Sequence, residues 1–374
     1  MRILIVSGIW PPDVGGPASH APEVAEFLLA RGHQVEVVTT ADRAPAPEAY
    51  PVRWASRRIP VGLRHLRTVG LVSTAARRAD VVYSTGMVGR SGLGASLART
   101  PLVLKLTADP VYERALRYGL APVPLDEFQH TRGIRLGVLR AMRGFALART
   151  AGLVCPSASL RDLAAGWGID PARISVLPNP VIAPDLPDRD QLRRKHGFDG
   201  PTLVFAGRLA PQKSLDVALE ALRVNDGVSL VLAGDGPDRE QVQALARELG
   251  LEGRARFLGA QPRSVVFELL RAADAVLLSS SWENFPHVVV EALAVGTPVL
   301  ATAAGGVTEV LEDGVNGLMV PPGDSRALAE AIRRFFADEE LRARLTAAAA
   351  PSAERFSAER IYGQLEEILA RAAA

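Results

Sequence analysis

The chain has 374 residues, 48% hydrophobic and 22% charged, with a formal net charge of +2 and one cysteine, Cys155. That length exceeds one ordinary hydrophobic core and predicts two domains, while a single cysteine excludes an intramolecular disulfide and fits a reducing compartment. Six histidines without ligand-like spacing argue against zinc, and the absence of any run of about 18 apolar residues argues against a membrane span.

In chain order, "RILIVSG" reads as a strand, and Pro11-Pro12 interrupt the N-terminal apolar run too early for a signal peptide, so a cytoplasmic protein is expected. In "GIWPPDVGGPASH" the prolines stop the strand, and Gly15 and Gly16 let the backbone turn and approach a ligand. A helix starting near Ser19 then offers free N–H groups, which together make a phosphate cradle. Strand–helix turns need glycine in any case, and the segment is not the G-x-G-x-x-G of nicotinamide enzymes. "VEVVTT", "DVVYST", "PLVLKLT" and "AGLVCPS" continue as strands, separated by amphipathic segments such as "SHAPEVAEFLLARGH". The segment "WASRRIPVGLRHLRTVGLVSTAARR" sets Arg57, Arg58, Arg64, Arg67, Arg77 and Arg78 among apolar positions. It reads either as a solvated helix face or as a contact for an anionic partner, a lipid surface or a phosphorylated acceptor. Residues 1–180 hold 22 Lys/Arg against 13 Asp/Glu, and the remainder holds 21 against 28, so the halves are expected to face different partners.

The proline- and charge-rich stretch 178–200 marks the break, and its "DRD" at 188–190 reads as a solvated run and not as a metal site. Strands resume with "TLVFAG", "VSLVLAG", "ARFLG", "AVLLSS" and "PVLAT". Alternating strand and helix predicts α/β architecture, with two Rossmann-like doubly wound domains and an interdomain cleft. The expected boundaries are 1–180, a linker at 181–200, a second domain at 201–355 and a tail helix at 356–374.

Three segments of the second half carry chemistry. Arg208 and Lys213 in "FAGRLAPQKS" flank a strand–helix turn at the carboxyl edge of a parallel sheet, where ligands bind, and both suit phosphate oxygens. Asp235 and Asp238 in "LVLAGDGPDRE" read equally as helix caps or ligand contacts. In "SWENFPHVVVEALAVGTPV", Glu283 and Glu291 would stand roughly 12 Å apart if the span were wholly helical. That is too far to share a proton, and beyond the roughly 6.5–9.5 Å of an inverting glycosidase. It suits gripping both ends of an elongated ligand, with hydroxyls on each carboxylate and an anion at the N–H groups between them.

"ENFPHVVVEALAVGTPV" resembles the E-x7-E signature of the retaining glycosyltransferases of family 4, which have the GT-B fold. "GRL" with Lys213, "GDGP", "FLG", the Gly15-Gly16 loop with "LLARGHQVEVVT", and "GGVTEVLEDGVNGLMVPPGD" follow in that family's order over nearly the whole chain. The resemblance implies a nucleotide diphosphate sugar held mainly by the second domain. Glu291 would hold ribose hydroxyls and Glu283 those of the transferred sugar. Gly207, Asn284, Phe285, Pro286, His287 and Val288 would line the donor, with Arg208 and Lys213 on the diphosphate, Gly16 approaching it, and Ala260 and Gln261 against the base. Two departures stand out. Asn284 and Pro286 occupy positions where many relatives have glycine, and Pro286 lacks an N–H. Thr107 and Ala108 replace a common histidine, leaving Asp109, with Glu113 nearby, to orient acceptor or sugar; His20 is a weaker acceptor candidate.

The family's chemistry implies retention without a protein nucleophile, and no metal is required. The acceptor is expected to be a sugar, lipid-linked or phosphorylated molecule, with a peripheral place at an anionic inner membrane face also expected. A nucleotide-sugar 2-epimerase and a non-catalytic sugar-nucleotide-binding module are the alternatives. Nucleic acid is not expected, because the basic segments lack interleaved aromatics.

Overall fold

The structure, a computed structural model, describes residues 1–13, 16–119 and 125–374. It divides into two units, residues 1–177 with 362–374, and residues 178–361.

The first unit is built on seven strands: β1 (Arg2–Ser7), β2 (Gln34–Ala41), β3 (Val52–Ser56), β4 (Val81–Ser84), β5 (Leu102–Lys105), β6 (Gly152–Cys155) and β7 (Ile174–Val176). Their order is β3-β2-β1-β4-β5-β6-β7, every neighbouring pair is parallel, and Ile5 of β1 sits between Val37 and Tyr83. Parallel pairs need crossover connections, so helices cover both faces and the inner strands become almost wholly apolar. In β1 only Arg2 reaches solvent. Cys155 closes β6 inside this core, and burial pushes its thiol up to about 12, which makes it inert.

The second unit repeats the plan with β8 (Thr202–Ala206), β9 (Ser229–Ala233), β10 (Ala255–Gly259), β11 (Ala275–Leu278), β12 (Val299–Thr302) and β13 (Gly317–Val320), in the order β10-β9-β8-β11-β12-β13. Its core is one continuous cluster that includes Leu203, Leu230, Leu277, Leu300 and Phe335.

Three strands, β3, β7 and β13, do not stand out in the sequence, and all three lie at sheet edges. An edge strand pairs on one side only and can leave part of itself in water, so β3 and β7 need no sustained apolar run, whereas β13 is a short apolar run that is mostly buried. In β3 only Ala55 is buried and in β7 only Ile174.

The segment read as a linker is ordered in its second half. A helix spans Arg189–His196, capped by Asp188, whose side chain accepts the Asp190 N–H at 2.8 Å. Leu192 and Phe198 enter the second unit's core, and Arg189 and Arg193 both pair with Asp274. In the run at 188–190, Asp188 caps the helix and Arg189 is ion-paired, while both aspartates remain exposed. The tail helix spans Ala358–Ala373, and from Tyr362 onward it belongs to the first unit. Tyr362 donates to Glu23 at 2.7 Å, while Glu366 pairs with His33 and Arg31. The helix after β1 starts at Gly16, three residues before the expected Ser19, and Gly15 lies outside the described residues. Among the described residues no helix is long and apolar enough to cross a membrane.

Candidate functional site

The order of strands in the second sheet reverses between β8 and β11, and the loops leaving their carboxyl ends meet there. After β8 comes Gly207, then exposed Arg208, then a tight helical turn over Pro211–Lys213. After β11 come Ser279 to Pro286 and an eight-residue helix, His287–Ala294. The two loops are stitched together. Gln212 donates to the Trp282 carbonyl at 2.8 Å, the Gln212 carbonyl accepts the Ser281 N–H at 2.9 Å, and Ser279 donates to the Lys213 carbonyl at 2.8 Å.

This stitching brings Lys213 onto Glu283. The Lys213 ammonium donates to Glu283 Oε1 at 2.5 Å, and Ser280 Oγ donates to the same oxygen at 2.6 Å. Glu283 is only 8% exposed, and these two donors satisfy its buried Oε1. Its backbone is fixed from below by the turn after β12, where Gly306 N–H donates to the Glu283 carbonyl at 2.8 Å. A Cβ at Gly305 would lie 2.4 Å from the Glu283 carbonyl oxygen, and one at Gly306 would lie 2.3 Å from that of Asn284. Only glycine permits that approach.

The second carboxylate, Glu291, lies in the helix after Pro286, which occupies the N-cap position. Arg263 reaches its Oε1 at 3.3 Å. Burial pushes the Glu291 carboxyl above its ordinary range, with Arg263 pulling it partly back. Between the two glutamates, Asn284 and Val288 are half-buried, and Phe285 is buried edge-on against His287 and Phe356. His287 is exposed and contacts Asn179 at 3.1 Å. The first helical turn carries no acidic residue, so its positive dipole end is not neutralised from within.

The other loops complete this edge. A Cβ at Gly234 would stand 1.8 Å from the Gly207 carbonyl oxygen, so the turn after β9 rests directly on the backbone next to Arg208. Asp235 accepts the Gly236 N–H and pairs with Arg239, whereas Asp238 stands at the cap position without a side-chain cap bond. Asp235 therefore closes the turn, and neither aspartate caps through its side chain. After β10, Ala260 is exposed, and Gln261 folds back to donate to the Leu258 carbonyl at 2.7 Å.

Comparison with known proteins gives the family. A family model described as "Glycosyl transferase 4-like domain" matches residues 15–180, and one described as "Glycosyl transferases group 1" matches 188–351. The chain is 30% identical to D-inositol 3-phosphate glycosyltransferase of Xylanimonas cellulosilytica, over 96% of this chain and 92% of that one. It is also 30% identical to phosphatidyl-myo-inositol mannosyltransferase of Mycobacterium leprae, over 95% and 92%. This chain is a family 4 glycosyltransferase of the GT-B fold. Among solved structures, the Anabaena protein HepE in complex with UDP and glucose superposes with a TM-score of 0.78 at 25% identity, covering 99% of this chain and all of that one.

In the glycosyltransferase's first unit the structure shows what surrounds the candidate acceptor residues. Asp109, expected to orient acceptor or sugar, is turned inward. Its side chain has no exposed surface and is consumed internally: it caps the helix Pro110–Arg117 through the Val111 N–H at 2.8 Å, and it also accepts from Arg143 at 2.8 Å and Gln129 at 3.2 Å. His20 is occupied by the Tyr83 hydroxyl at 2.9 Å and by Lys105 at 3.3 Å. Glu113 is exposed in the first turn of the helix that Asp109 caps. Of the six arginines read as a basic face, Arg57 is withdrawn into ion pairs with Asp13 and Asp42.

Sequence reading gave Ser280 and Arg263 no role, and it took Gly305 and Gly306 only as the start of the family motif "GGVTEVLEDGVNGLMVPPGD", without the close backbone approach they permit. It also missed Lys105, whose signal was a lysine inside the otherwise apolar "VLKLT". Burial lowers this ammonium to about 7.

Glu291 makes a prediction with a definite sign. Its folded-state pKa is raised, so between the ordinary carboxylate range and that raised value the native state binds more protons and stability falls as pH rises. Glu291→Gln removes that slope. The variant should melt slightly above wild type at pH 7 yet bind nucleotide sugar more weakly, as read by thermal scans with and without the sugar nucleotide.

Proposed function

We propose that this glycosyltransferase moves a hexosyl group from a nucleoside diphosphate sugar to an acceptor hydroxyl with retention of anomeric configuration. The observation that carries the reading is the Lys213–Glu283 contact at the reversal point of the second sheet. A cation and a carboxylate held side by side match the two chemically different ends of the bond that breaks. Lys213 and the exposed Arg208 would take the diphosphate oxygens, and no metal is assigned to that task. Glu283, held by Ser280, would accept hydrogen bonds from the sugar's hydroxyls. Glu291 would hold the ribose, with the helix N-terminus at His287 and Val288 toward phosphate. Gly207, Asn284, Phe285 and Pro286 would shape the donor's bed, and Ala260 and Gln261 would meet the base.

In the transfer step the anomeric C–O bond to the diphosphate breaks as the acceptor oxygen bonds to the same carbon, on the face the leaving group vacates. The acceptor's proton passes to the departing phosphate oxygen. No side chain becomes covalently attached, and cationic groups stabilise the charge that develops on the diphosphate.

The test is incubation of the full chain with a panel of nucleotide sugars, following thermal shift, nucleotide release and the configuration of the product. One nucleotide sugar should stabilise the protein and release nucleotide faster once an acceptor is supplied. Interconversion of the donor's sugar without any acceptor would identify an epimerase, and binding without turnover against every acceptor tried would identify a binding module. Either result overturns the proposal.

A further inference from the structure

The first unit contains a cavity of about 1120 Å³, at the upper end of what small-molecule sites occupy. It is framed by the helices Val61–Ala76, Val88–Ala98, Pro110–Arg117 and Ile134–Ala148. Leu63, Leu66, Leu93 and Met142 line it, and all four are exposed, Leu66 at 70% and Leu63 at 61%. Further large apolar residues on the same helices, among them Ile134, Val138 and Phe145, are exposed too. Apolar surface gathered this way around a hollow marks a site for an apolar partner.

The hollow also carries guanidinium groups: Arg90, Arg114 and Arg143 line it, with His65 and Lys105, both lowered from their ordinary values, and Glu113 is the acidic residue among the described lining. Arg90 is half-buried, and burial and the positive charge of Arg64 both push its guanidinium down, so its neighbourhood supplies repulsion where a structural arginine would have a carboxylate. Burial, and after it the charges of Arg90, Arg64 and Arg114, depress His65 as well. Arg143 spends one nitrogen on Asp109, and its buried Nε has no hydrogen-bond partner among the described residues. Apolar walls beside Arg90 and Arg114, for which no ion pair is found among the described residues, complement a molecule that has a hydrocarbon chain and an anionic head.

We propose that this pocket binds an anionic lipid in which a phosphate or diphosphate joins a hydrocarbon chain to the headgroup, with the phosphate at Arg90 and Arg114 and the chain along Leu63, Leu66, Leu93 and Met142. This names the acceptor class and rests on the transferase reading above. The acceptor hydroxyl is carried on the headgroup, and the phosphate stays intact through transfer.

The test uses alkyl phosphates below their micelle concentration, titrated calorimetrically into the full chain. Decyl phosphate should bind, and octyl phosphate should bind about fifteen-fold more weakly, since each buried methylene changes affinity about fourfold. Decanol and inorganic phosphate should each bind at least tenfold more weakly than decyl phosphate. Arg90→Gln should weaken decyl phosphate about tenfold while leaving decanol unchanged, and Leu66→Gln, at an exposed position, should weaken both. Equal binding of decyl phosphate to wild type and both variants, or none to wild type, overturns the proposal. So does co-sedimentation with phosphatidylglycerol vesicles without binding of the monomeric amphiphile, which would assign the face to a lipid surface. Nucleotide-sugar thermal shift in the same samples separates the failures: if it persists, only the lipid site falls, and if it is absent, the donor reading falls too.

Discussion

Lys213→Ala should lower turnover of the nucleotide sugar by about 10²–10³-fold, the usual cost of losing one group that stabilises charge developing in a transition state. The wild-type ammonium sits 2.5 Å from Glu283 Oε1, in a site where both side chains are largely withdrawn from water. The same substitution also leaves Glu283 buried with Ser280 as its remaining side-chain donor. Some stability must therefore be lost, on the order of 2 kcal/mol for a partly buried pair. Activity and stability separate through a double-mutant cycle. Removing Glu283 as well should recover part of the lost stability, because the stranded charge is gone, and it should recover no activity. Arg208 supplies the control: it is exposed, so Arg208→Ala should cost turnover with little change in melting temperature. A Lys213→Ala enzyme that turns over donor at the wild-type rate would remove the basis of the assignment.

Asp109→Ala should destabilise the protein by about 3–5 kcal/mol, as expected when one partner of a buried ion pair is deleted. The Arg143 side chain is 6% exposed and that of Asp109 not at all. Without the carboxylate, the guanidinium stays buried over Trp167, and the Val111 N–H loses its cap. Asp109→Asn should cost less, because an amide oxygen still accepts from the Val111 N–H. The double variant Asp109→Ala with Arg143→Leu should recover much of the loss, since an apolar replacement removes both desolvated charges together. Urea denaturation of the four proteins measures this directly. A wild-type denaturation midpoint in Asp109→Ala, coupled with lost turnover, would instead make Asp109 a substrate-facing group.

Much of the candidate site was legible because it is a local property of strand–loop–helix units. Val- and Leu-rich runs with glycine at their ends specify parallel strands, and the loop at each carboxyl end inherits its place from that topology. Arg208, Lys213, Glu283 and Glu291 could be named on that ground. What pairs with what was not legible. That Lys213 meets Glu283 depends on contacts between loops some seventy residues apart, set by β8 and β11 becoming neighbours. Charge type alone marks both as candidates and cannot say which cation meets which carboxylate.

Asp109 shows the same limit from the other side. Next to Thr107 and Ala108 it reads as a group free to meet a ligand, and only the packing of Arg143 and Gln129, from other segments of the unit, turns it into an internal counterion. The edge strands β3 and β7 were not read for a related reason: each buries a single residue, so neither carries an apolar run in its side chains. Sequence by itself determined the alternation of strand and helix, the repeated parallel plan, the glycine- and cation-bearing loops at the sheet edge and the family, because these are written in local periodicity, turn chemistry and short motifs. Tertiary structure alone decided which charges are spent internally, as at Asp109 and Arg57, and which are left exposed or unneutralised, as at Arg208 and Arg90. The reason is that desolvation and pairing depend on neighbours brought together by the fold, and a side chain's own identity does not carry them.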